Sequence, residues 1–194
     1  AVLECFVKLY NDGLIYRGKR IINWDPQSMT ALSDEEVIHK ETKGNLWHFN
    51  YPIKNSDKYI TVATTRPETM LGDTGIAVNP KDSRYKNLIG EKVILPIVNR
   101  EIPIFGDEYV DMEFGTGCVK VTPAHDPNDF IMGKNNNLDF INILNPDGTI
   151  NENAPSNYIG LDRFEARKKV INEIDKLQLL NKIEDYVQNI GYSE

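Results

Sequence analysis

The pattern of apolar and polar positions divides the chain into many short elements. Residues 1–12 repeat apolar side chains at helical spacing, and Gly13 follows as a typical end of such a helix. The alternation that is typical of strands recurs at residues 14–25, 45–53 and 58–65. The sequence Asn-Ser-Asp at 55–57 predicts the turn between the last two strands.

The middle of the chain predicts a further series of short elements. Pro67 suits the first turn of a helix through Leu71, and it restricts Arg66 to an extended conformation. A short helix closed by Gly90 is expected at residues 82–88. Strands are predicted at 76–78, 92–98, 101–105 and 119–122, with a hairpin around Asn99 and Arg100.

The last third of the chain predicts two helices and two strands. Asp126 precedes Pro127 as a helix N-cap, and this helix should end in the polar run 134–137. A capping box at 162–165 opens a helix to about residue 180. Strands are predicted at 140–144 and 183–190. Many short strands with a few helices predict a β-rich mixed α/β fold.

Composition and charge narrow the class of protein. The 194 residues, 40% of them hydrophobic, suffice for one substantial core, so we expect a single domain over residues 1–194. A net charge of −7 disfavours duplex DNA and confines any nucleic-acid contact to a local basic patch. Cys5 and Cys118 are expected to be reduced, packed thiols of a cytoplasmic protein.

The same features predict a protein that is not embedded in a membrane. No apolar run approaches the ~20 residues of a membrane helix, so we expect a soluble protein. The chain begins without Met and within a predicted amphipathic helix, which indicates a piece excised from a larger protein.

Hydroxyls, carboxylates and single cations concentrate in two segments, residues 64–74 and 115–129. Each segment runs from a predicted strand into a helix that begins with proline. Such junctions are favoured places for binding sites. The side chains there suit a small polar ligand that carries an amine and an ester.

Lys120, Thr122, Asp126 and Asp129 form the sharper group of candidates. Lys120 and Thr122 are two residues apart in a strand and share a face, and the helix begins just beyond that strand. All four side chains can therefore face one cavity. The alternative is that Lys120 and Thr122 lie on a solvated face while the two aspartates satisfy free N–H groups of the helix, and for Asp126 alone we favour this alternative.

The second group of candidates lies around the first proline-started helix and consists of Thr64, Thr65, Arg66 and Thr69. Threonines are common in strands, and Thr65 with Glu68 also matches a capping box. Arg66 suits a carbonyl or phosphate through its planar guanidinium. A structural ion pair of Arg66 with Glu68 or Asp73 is the alternative.

Histidines, glycines and basic residues give weaker signals. The histidines at 39, 48 and 125 lack the spacing of metal ligands, so we expect no metal. His125 beside Asp126 suits a general base, although a structural histidine is the commoner outcome.

Residues 115–117, Gly-Thr-Gly, lack the ending of a phosphate loop and predict a tight turn. Of two basic clusters, 16–20 and 163–169, the first is the better candidate for RNA contact.

These motifs resemble the editing domain, or connective polypeptide insertion, of class I aminoacyl-tRNA synthetases. The resemblance covers nearly the whole chain, and its most specific parts are 63–74 and 114–130. Lys-Val-Thr before Pro-Ala-His-Asp departs from the leucine type, and glutamate rather than tryptophan after Pro67 departs from the isoleucine type. The chain is therefore most similar to the valine type. The ATP-binding signatures of the family, of His-Ile-Gly-His and Lys-Met-Ser-Lys-Ser type, are absent from the sequence.

The resemblance implies a fold, partners and site roles. The fold would be a distorted β-barrel-like core with peripheral helices, with residues 1–25 and 183–194 near the junctions with the catalytic core. The partners would be the remainder of the synthetase and the acceptor end of tRNA(Val) carrying threonine; we expect a monomer that uses no cofactor and binds neither membrane nor DNA. The catalytic residues would be Lys120, Asp129 and Arg66, and the substrate-binding residues Thr64, Thr65, Thr69, Phe114, Thr122, His125 and Asp126.

Within that site, each implied role has its own chemistry. Asp129 would bind the α-ammonium group, with Asp126 and Thr122 near the threonine hydroxyl. Lys120 and Arg66 would stabilise developing negative charge. Thr69 would line the pocket or position water, and Phe114 would stack on the terminal adenine.

The activity implied by the resemblance is hydrolysis of threonine wrongly esterified to the valine tRNA, through direct attack by water. Threonyl-adenylate is a possible second substrate. Two alternatives remain open: a non-catalytic module that docks the tRNA acceptor end, and an editing domain specific for valyl-tRNA(Ile).

Overall fold

The computed structural model describes residues 1–193, so residue 194 of the predicted domain 1–194 lies outside the described residues. Nine strands form three sheets in that part of the chain. The strands are β1 Asn23–Asp25, β2 Thr30–Leu32, β3 Val37–Pro52, β4 Tyr59–Thr64, β5 Gly75–Val78, β6 Lys92–Leu95, β7 Arg100–Gly106, β8 Cys118–Val121 and β9 Leu180–Ser193.

Three α-helices and three 3₁₀ helices complete the regular structure of residues 1–193. The α-helices are α1 Val2–Asn11, α2 Pro127–Asn135 and α3 Arg163–Lys176. The 3₁₀ helices are Asp34–Glu36, Pro67–Gly72 and Lys86–Leu88. The β-rich mixed α/β class is thus confirmed, and over residues 1–193 the sheets stay open rather than closing into a barrel.

A long antiparallel ribbon forms the three-stranded sheet, in the order β4-β3-β9, while β1 and β2 form a separate hairpin. One end of β3 pairs with β4, from Trp47 opposite Thr64 to Pro52 opposite Tyr59. Nearly the whole of β3 also pairs with β9, with a register shift at residues 48–49. The alternation of buried and half-exposed residues in β4 is that of a strand with one face on the core.

The four-stranded sheet has the order β6-β7-β5-β8 and carries one wall of the candidate site. Strand β5 pairs in parallel with β7 and antiparallel with β8. All four residues of β5 are buried, as expected for a central strand covered on both faces. The antiparallel register places Ile76 of β5 opposite Lys120 of β8.

The hydrophobic core lies between these sheets and α3. Helix α3 turns Ala166, Val170 and Ile174 inward at a spacing of four residues, so one stripe of the helix is buried. The side chain of Asp162 caps its first turn by accepting the backbone N–H of Phe164 at 2.7 Å. The largest fully buried side chains are Tyr51, Tyr158, Phe49, Ile60, Met70, Leu71, Ile76, Leu95, Ile102, Ile104, Ile143 and Ile150.

Several sequence-based predictions of elements are wrong. Residues 14–22 contain no strand, and residues 140–144 contribute only an isolated bridge between Leu144 and Ile150. The helix predicted at 82–88 is reduced to the 3₁₀ turn 86–88, and α3 ends at Lys176 rather than near 180. The turn of the β6–β7 hairpin occupies residues 96–99, before the predicted centre. Cys5 is exposed rather than packed, because no residue of α1 is buried.

Candidate active site

The two polar segments meet in space. The 3₁₀ helix Pro67–Gly72 follows β4 directly, and α2 begins just after β8. Lys120 at the end of β8 donates from Nζ to Thr69 Oγ1 at 2.9 Å. Arg66 and Asp126 join the same two segments through a contact of 3.2 Å between Nη2 and Oδ2. These four candidate side chains therefore lie at one junction, where β4 and β8 of the two larger sheets end.

Lys120 is buried and saturated with oxygen partners. Its Nζ also lies 2.9 Å from Asp73 Oδ1 and 2.6 Å from Thr122 Oγ1. An ammonium group has three N–H donors, and all three are used by Thr69, Asp73 and Thr122. The solvated face considered for Lys120 and Thr122 is thus wrong, because both side chains are buried.

Asp129 lies in the first turn of α2 and faces the junction. It is 8% exposed, and its Oδ2 accepts the backbone N–H of Thr122 at 2.8 Å. Within residues 1–193, Oδ1 makes no hydrogen bond, and it is not among the buried polar atoms that lack a partner, so it keeps contact with solvent. Burial raises the pKa of Asp129 to about 6, although Lys120 and the Thr122 N–H oppose the shift.

The two carboxylate oxygens of Asp126 have different partners. Oδ1 accepts the backbone N–H groups of Asn128 and Asp129 at 2.9 and 3.3 Å, as an N-cap does. Oδ2 binds Arg66, whose side chain is 44% exposed at the mouth of the junction. The ion pair of Arg66 is therefore formed with Asp126, and the alternative partners Glu68 and Asp73 are wrong.

The threonines of the first segment contact the backbone around Arg66. Thr64 Oγ1 accepts the N–H of Arg66 at 3.1 Å, and Thr69 Oγ1 donates to the carbonyl of Arg66 at 2.9 Å. Thr65 is half-buried at the end of β4. The capping box of Thr65 with Glu68 is wrong, because Arg167 of α3 binds the Glu68 carboxylate at 2.7 and 2.8 Å.

His125 is fixed by the backbone. Its Nε2 accepts the N–H of Ile143 at 3.0 Å, so this nitrogen holds no proton and the remaining proton lies on Nδ1. Burial and the charges of Arg66 and Lys120 lower the pKa of His125 to about 4. The imidazole is therefore neutral at pH 7, and its lone pair is engaged in supporting residues 141–143.

Phe114 lies apart from this cluster on an exposed loop. Its ring is 56% exposed and packs edge-on against Tyr186 of β9, with 6.4 Å between ring centroids. A free aromatic face of this kind suits stacking on a base. Arg84 anchors this loop by donating to the backbone carbonyl of Met112 at 2.6 Å.

Three residues that the sequence reasoning missed as site residues are Asp73, Tyr51 and Arg100. Asp73 is fully buried and binds Lys120, Thr122 and Tyr51, with 2.8 Å from the Tyr51 hydroxyl to Oδ2. Arg100 donates to the backbone carbonyl of Asp73 at 2.8 Å. Burial raises the pKa of Asp73 while Lys120, Thr122 and Tyr51 lower it. The position of Asp73 within the polar segment 64–74 was the available signal, whereas its partners lie far away in sequence.

A search for similar proteins identifies the family. The family described as "tRNA synthetases class I (I, L, M and V)" matches residues 1–190. The chain belongs to the class I tRNA synthetases. This result confirms the resemblance that the two polar motifs indicated.

Individual synthetases are similar over the whole chain. Valine–tRNA ligase of Bacillus subtilis strain 168 is 61% identical over 194 residues, and that of Geobacillus stearothermophilus is also 61% identical. Valine–tRNA ligase of Staphylococcus carnosus strain TM300 is 57% identical. The chain spans 22% of the length of each of these synthetases.

A solved synthetase structure has the same fold. It is the ternary complex of Agrobacterium radiobacter K84 agnB2 LeuRS with tRNA and LeuAMS, which matches with a TM-score of 0.56 at 20% identity. The match covers 98% of this chain and 32% of that synthetase chain. The fold of this class I synthetase segment is therefore shared with the leucine enzyme.

Neither a metal centre nor a membrane-spanning helix occurs in the part of the chain that the structure describes. No set of three or more His, Cys, Asp or Glu side chains within residues 1–193 is arranged around a metal position. None of the helices described there is both long and apolar enough to span a membrane.

Proposed function

We propose that this chain is the proofreading domain of a valine–tRNA ligase and hydrolyses threonyl-tRNA(Val). The similarity to valine–tRNA ligases over the full chain supports the choice of tRNA. The reaction is hydrolysis of the aminoacyl ester after transfer, with threonyl-adenylate as a possible second substrate. The proposed enzyme is thus an aminoacyl-tRNA deacylase.

A free carboxylate oxygen within a polar, largely buried junction is the observation that carries this proposal. Asp129 Oδ2 is fixed by the Thr122 N–H, while Oδ1 makes no hydrogen bond within residues 1–193 and keeps contact with solvent. An ammonium group could take the place of solvent at Oδ1, donate a charge-assisted hydrogen bond to it and favour the ionised carboxylate. This is the chemistry expected for the α-amine of an aminoacyl ester.

The proposed mechanism uses water as the nucleophile. Asp129 orients the substrate through its amine, and the exposed guanidinium of Arg66 lies at the mouth, where it can donate to the ester carbonyl. As negative charge develops on that oxygen, Arg66 and the charge of Lys120 stabilise it. An aminoacyl ester is already reactive, so an oriented water suffices and no covalent intermediate is required.

Selection of threonine follows from the polarity of the proposed pocket. The hydrophobic synthetic pocket of valine enzymes is known to reject threonine in favour of valine by only about 10². A second site can instead read the hydroxyl, because a methyl group in its place leaves buried polar groups unpaired. Thr122 and Asp126 are proposed to lie near this hydroxyl.

The remaining proposed contacts concern the rest of the substrate. Thr64, Thr65 and Thr69 line the pocket beside the ester, and His125 supports the opposite wall through its bond to Ile143. Phe114 stacks on the terminal adenine of the tRNA. The domain is proposed to act as a cytoplasmic monomer inside the larger synthetase, which supplies most of the tRNA contacts.

Release of threonine from threonyl-tRNA(Val) tests the proposal. The wild-type chain is expected to accelerate deacylation, and Asp129→Ala should reduce kcat/KM by about 10² or more, because a charge-assisted contact is lost. Equal deacylation by both proteins would contradict the site. Binding of tRNA without release of threonine would instead indicate a docking module.

A second substrate separates the valine and isoleucine types. The chain is expected to spare valyl-tRNA(Ile) under conditions in which threonyl-tRNA(Val) is hydrolysed. Rapid release of valine with sparing of threonine would indicate the isoleucine type.

A further inference from the structure

The hydroxyl groups of Thr69 and Thr122 are both held in fixed directions. Thr122 Oγ1 donates to Asp73 Oδ1 at 2.6 Å and accepts from Lys120 Nζ at 2.6 Å. Thr69 Oγ1 donates to the Arg66 carbonyl and accepts from Lys120 Nζ, each at 2.9 Å. A hydroxyl has one proton and two lone pairs, so each of these groups has used its proton and keeps one lone pair.

Asp73 determines this arrangement. Its carboxylate is fully buried, and Oδ1 accepts from both Lys120 and Thr122 while Oδ2 accepts from Tyr51. An ionised carboxylate has no proton to donate, so the Thr122 proton must point toward it. The ion pair also fixes the Lys120 ammonium, which in turn points one proton at Thr69.

The outcome is a group of hydrogen-bond acceptors. Thr69 and Asp129 are 4% and 8% exposed, so each keeps a small accessible surface, whereas Thr122 is 1% exposed. The free lone pair of Thr69 and the free Oδ1 of the ionised Asp129 can only accept a hydrogen bond. Lys120 has no N–H left for a ligand, because Thr69, Thr122 and Asp73 use all three.

Resting on the proposed function, we propose that Asp73 is a positioning residue for specificity. By fixing Lys120 and Thr122, it turns the threonine hydroxyls of the site into acceptors. The site then selects aminoacyl groups whose β-carbon carries a hydrogen-bond donor. Threonine meets this requirement, and valine presents a methyl group instead.

According to this proposal, the substrate must carry a hydrogen-bond donor on its β-carbon, and a polar group without a proton to donate is not sufficient. In 2-amino-3-fluorobutyrate, a fluorine replaces the threonine hydroxyl with little change in size and offers no proton. An acceptor-lined site treats this group like valine. A site in which Lys120 donates to the substrate hydroxyl would instead tolerate it.

Binding of unreactive substrate analogues tests this inference. Adenosine analogues with a 3′-amide in place of the ester carry threonine, valine or 2-amino-3-fluorobutyrate and are titrated against the 194-residue chain by calorimetry. The wild type should bind the threonyl analogue at least about 10-fold more tightly than either of the others, because both leave a buried acceptor unpaired. Equal binding of the fluoro and threonyl analogues would overturn the inference.

Asp73→Ala provides the second measurement. It removes the oxygen that accepts from both Lys120 and Thr122, so one Lys120 N–H becomes available to a ligand, and the preference for threonyl over fluoro should fall to about 3-fold or less. Glu68→Ala is the matched control, since it removes another buried ion-paired carboxylate of the same region, bound by Arg167, and should keep the wild-type preference. A full preference in Asp73→Ala overturns the role of Asp73, and if that variant does not fold, the wild-type series alone tests the inference.

The two proposals fail in different ways. If threonine is released from threonyl-tRNA(Val) but the three analogues bind equally, only the inference about acceptors is wrong. If no threonine is released and none of the analogues binds, both proposals are wrong.

Discussion

Asp129 is a carboxylate that the fold places where its charge is unfavourable. It is 8% exposed, and burial raises its pKa to about 6 from an ordinary value of 3.8. The nearby positive charge of Lys120 only partly offsets this effect, because the ammonium is already paired with Asp73. A site ready to bind an amine is therefore a site of reduced stability in the free protein.

Replacing Asp129 with asparagine should stabilise the free protein at high pH. Folding raises the pKa of Asp129, so the folded state holds its proton more tightly than the unfolded state, and the ionised group lowers stability above pH 6. Asp129→Asn should raise the free energy of unfolding by roughly 1–3 kcal/mol at pH 8. The difference should shrink as the pH falls from 6 to 4, measured by thermal unfolding.

The control for this prediction is Asp126→Asn. Asp126 is one-third exposed and pairs with Arg66, and asparagine is an equally good N-cap, so no gain at pH 8 is expected. An unchanged or lower unfolding temperature of Asp129→Asn at pH 8 would show that the carboxylate is not destabilising.

At the residue scale, the sequence predicted local partners better than distant ones. The N-cap role of Asp126 could be predicted, because an N-cap bonds to backbone N–H groups two and three residues away. The partners of Asp73 lie at positions 51, 120 and 122, and only the folded chain brings them together. For the same reason Asp73 was considered only as a partner of Arg66.

The 3₁₀ helix Pro67–Gly72 is the element that holds the first wall of the site. All six of its residues are buried, and Arg167 of α3 binds Glu68 from one side. On the other side, Arg100 donates to the carbonyls of Leu71 and Asp73 at 3.2 and 2.8 Å. These carbonyls end the short helix, so the guanidinium satisfies acceptors that the helix itself cannot.

Gly72→Ala should disturb this element and the site together. A Cβ at residue 72 would lie 2.9 Å from the Ile141 carbonyl oxygen, 3.2 Å from Ile143 Cγ2 and 3.3 Å from Thr122 Cγ2. Such overpacking typically costs roughly 1–3 kcal/mol. We expect a loss of this size in denaturant unfolding and a fall in threonyl-tRNA deacylation, because Thr122 must move.

Gly44→Ala is the matched control for the glycine prediction. Its added Cβ would meet the end of the Gln188 side chain at 2.7 Å, and this flexible group can move away. It should therefore change neither stability nor activity appreciably. Similar losses in both variants would mean that close packing at residue 72 is not the cause.

Helices that begin with a clear sequence signal could be predicted. The sequence could not show that an apolar segment lacks a partner strand. The short helix after Pro67 and α2 after Pro127 begin where the prolines indicate. Residues 140–144 have the apolar character of a strand but lie across the site wall instead, where Ile143 donates its N–H to His125. Ile143 is buried, and Ile141 and Leu144 pack against the core, so the segment contributes apolar side chains without forming a ladder, and composition alone cannot distinguish the two cases.

For the molecule as a whole, stability comes from the packed part of the chain rather than from its first helix. The buried hydrophobic residues begin at Leu46 and end at Ile174, whereas no residue of α1 is buried. Helix α1 nevertheless has an apolar face, with Val2, Leu3 and Phe6 exposed. In the proposed larger synthetase this face would be covered by other parts of the enzyme.

Deletion of residues 1–13 should therefore leave the rest of the domain folded. We expect the unfolding temperature to change by less than about 2 °C, since the segment buries almost no apolar surface and burial is the main source of stability. Ile174→Ala is the matched control: it empties a fully buried position of α3 and should cost roughly 2–5 kcal/mol, or about 5–15 °C. Calorimetric unfolding of both variants provides the comparison. A fall of more than about 5 °C on deletion, equivalent to roughly 1–3 kcal/mol for a chain of this size, would show that α1 is part of the cooperative core.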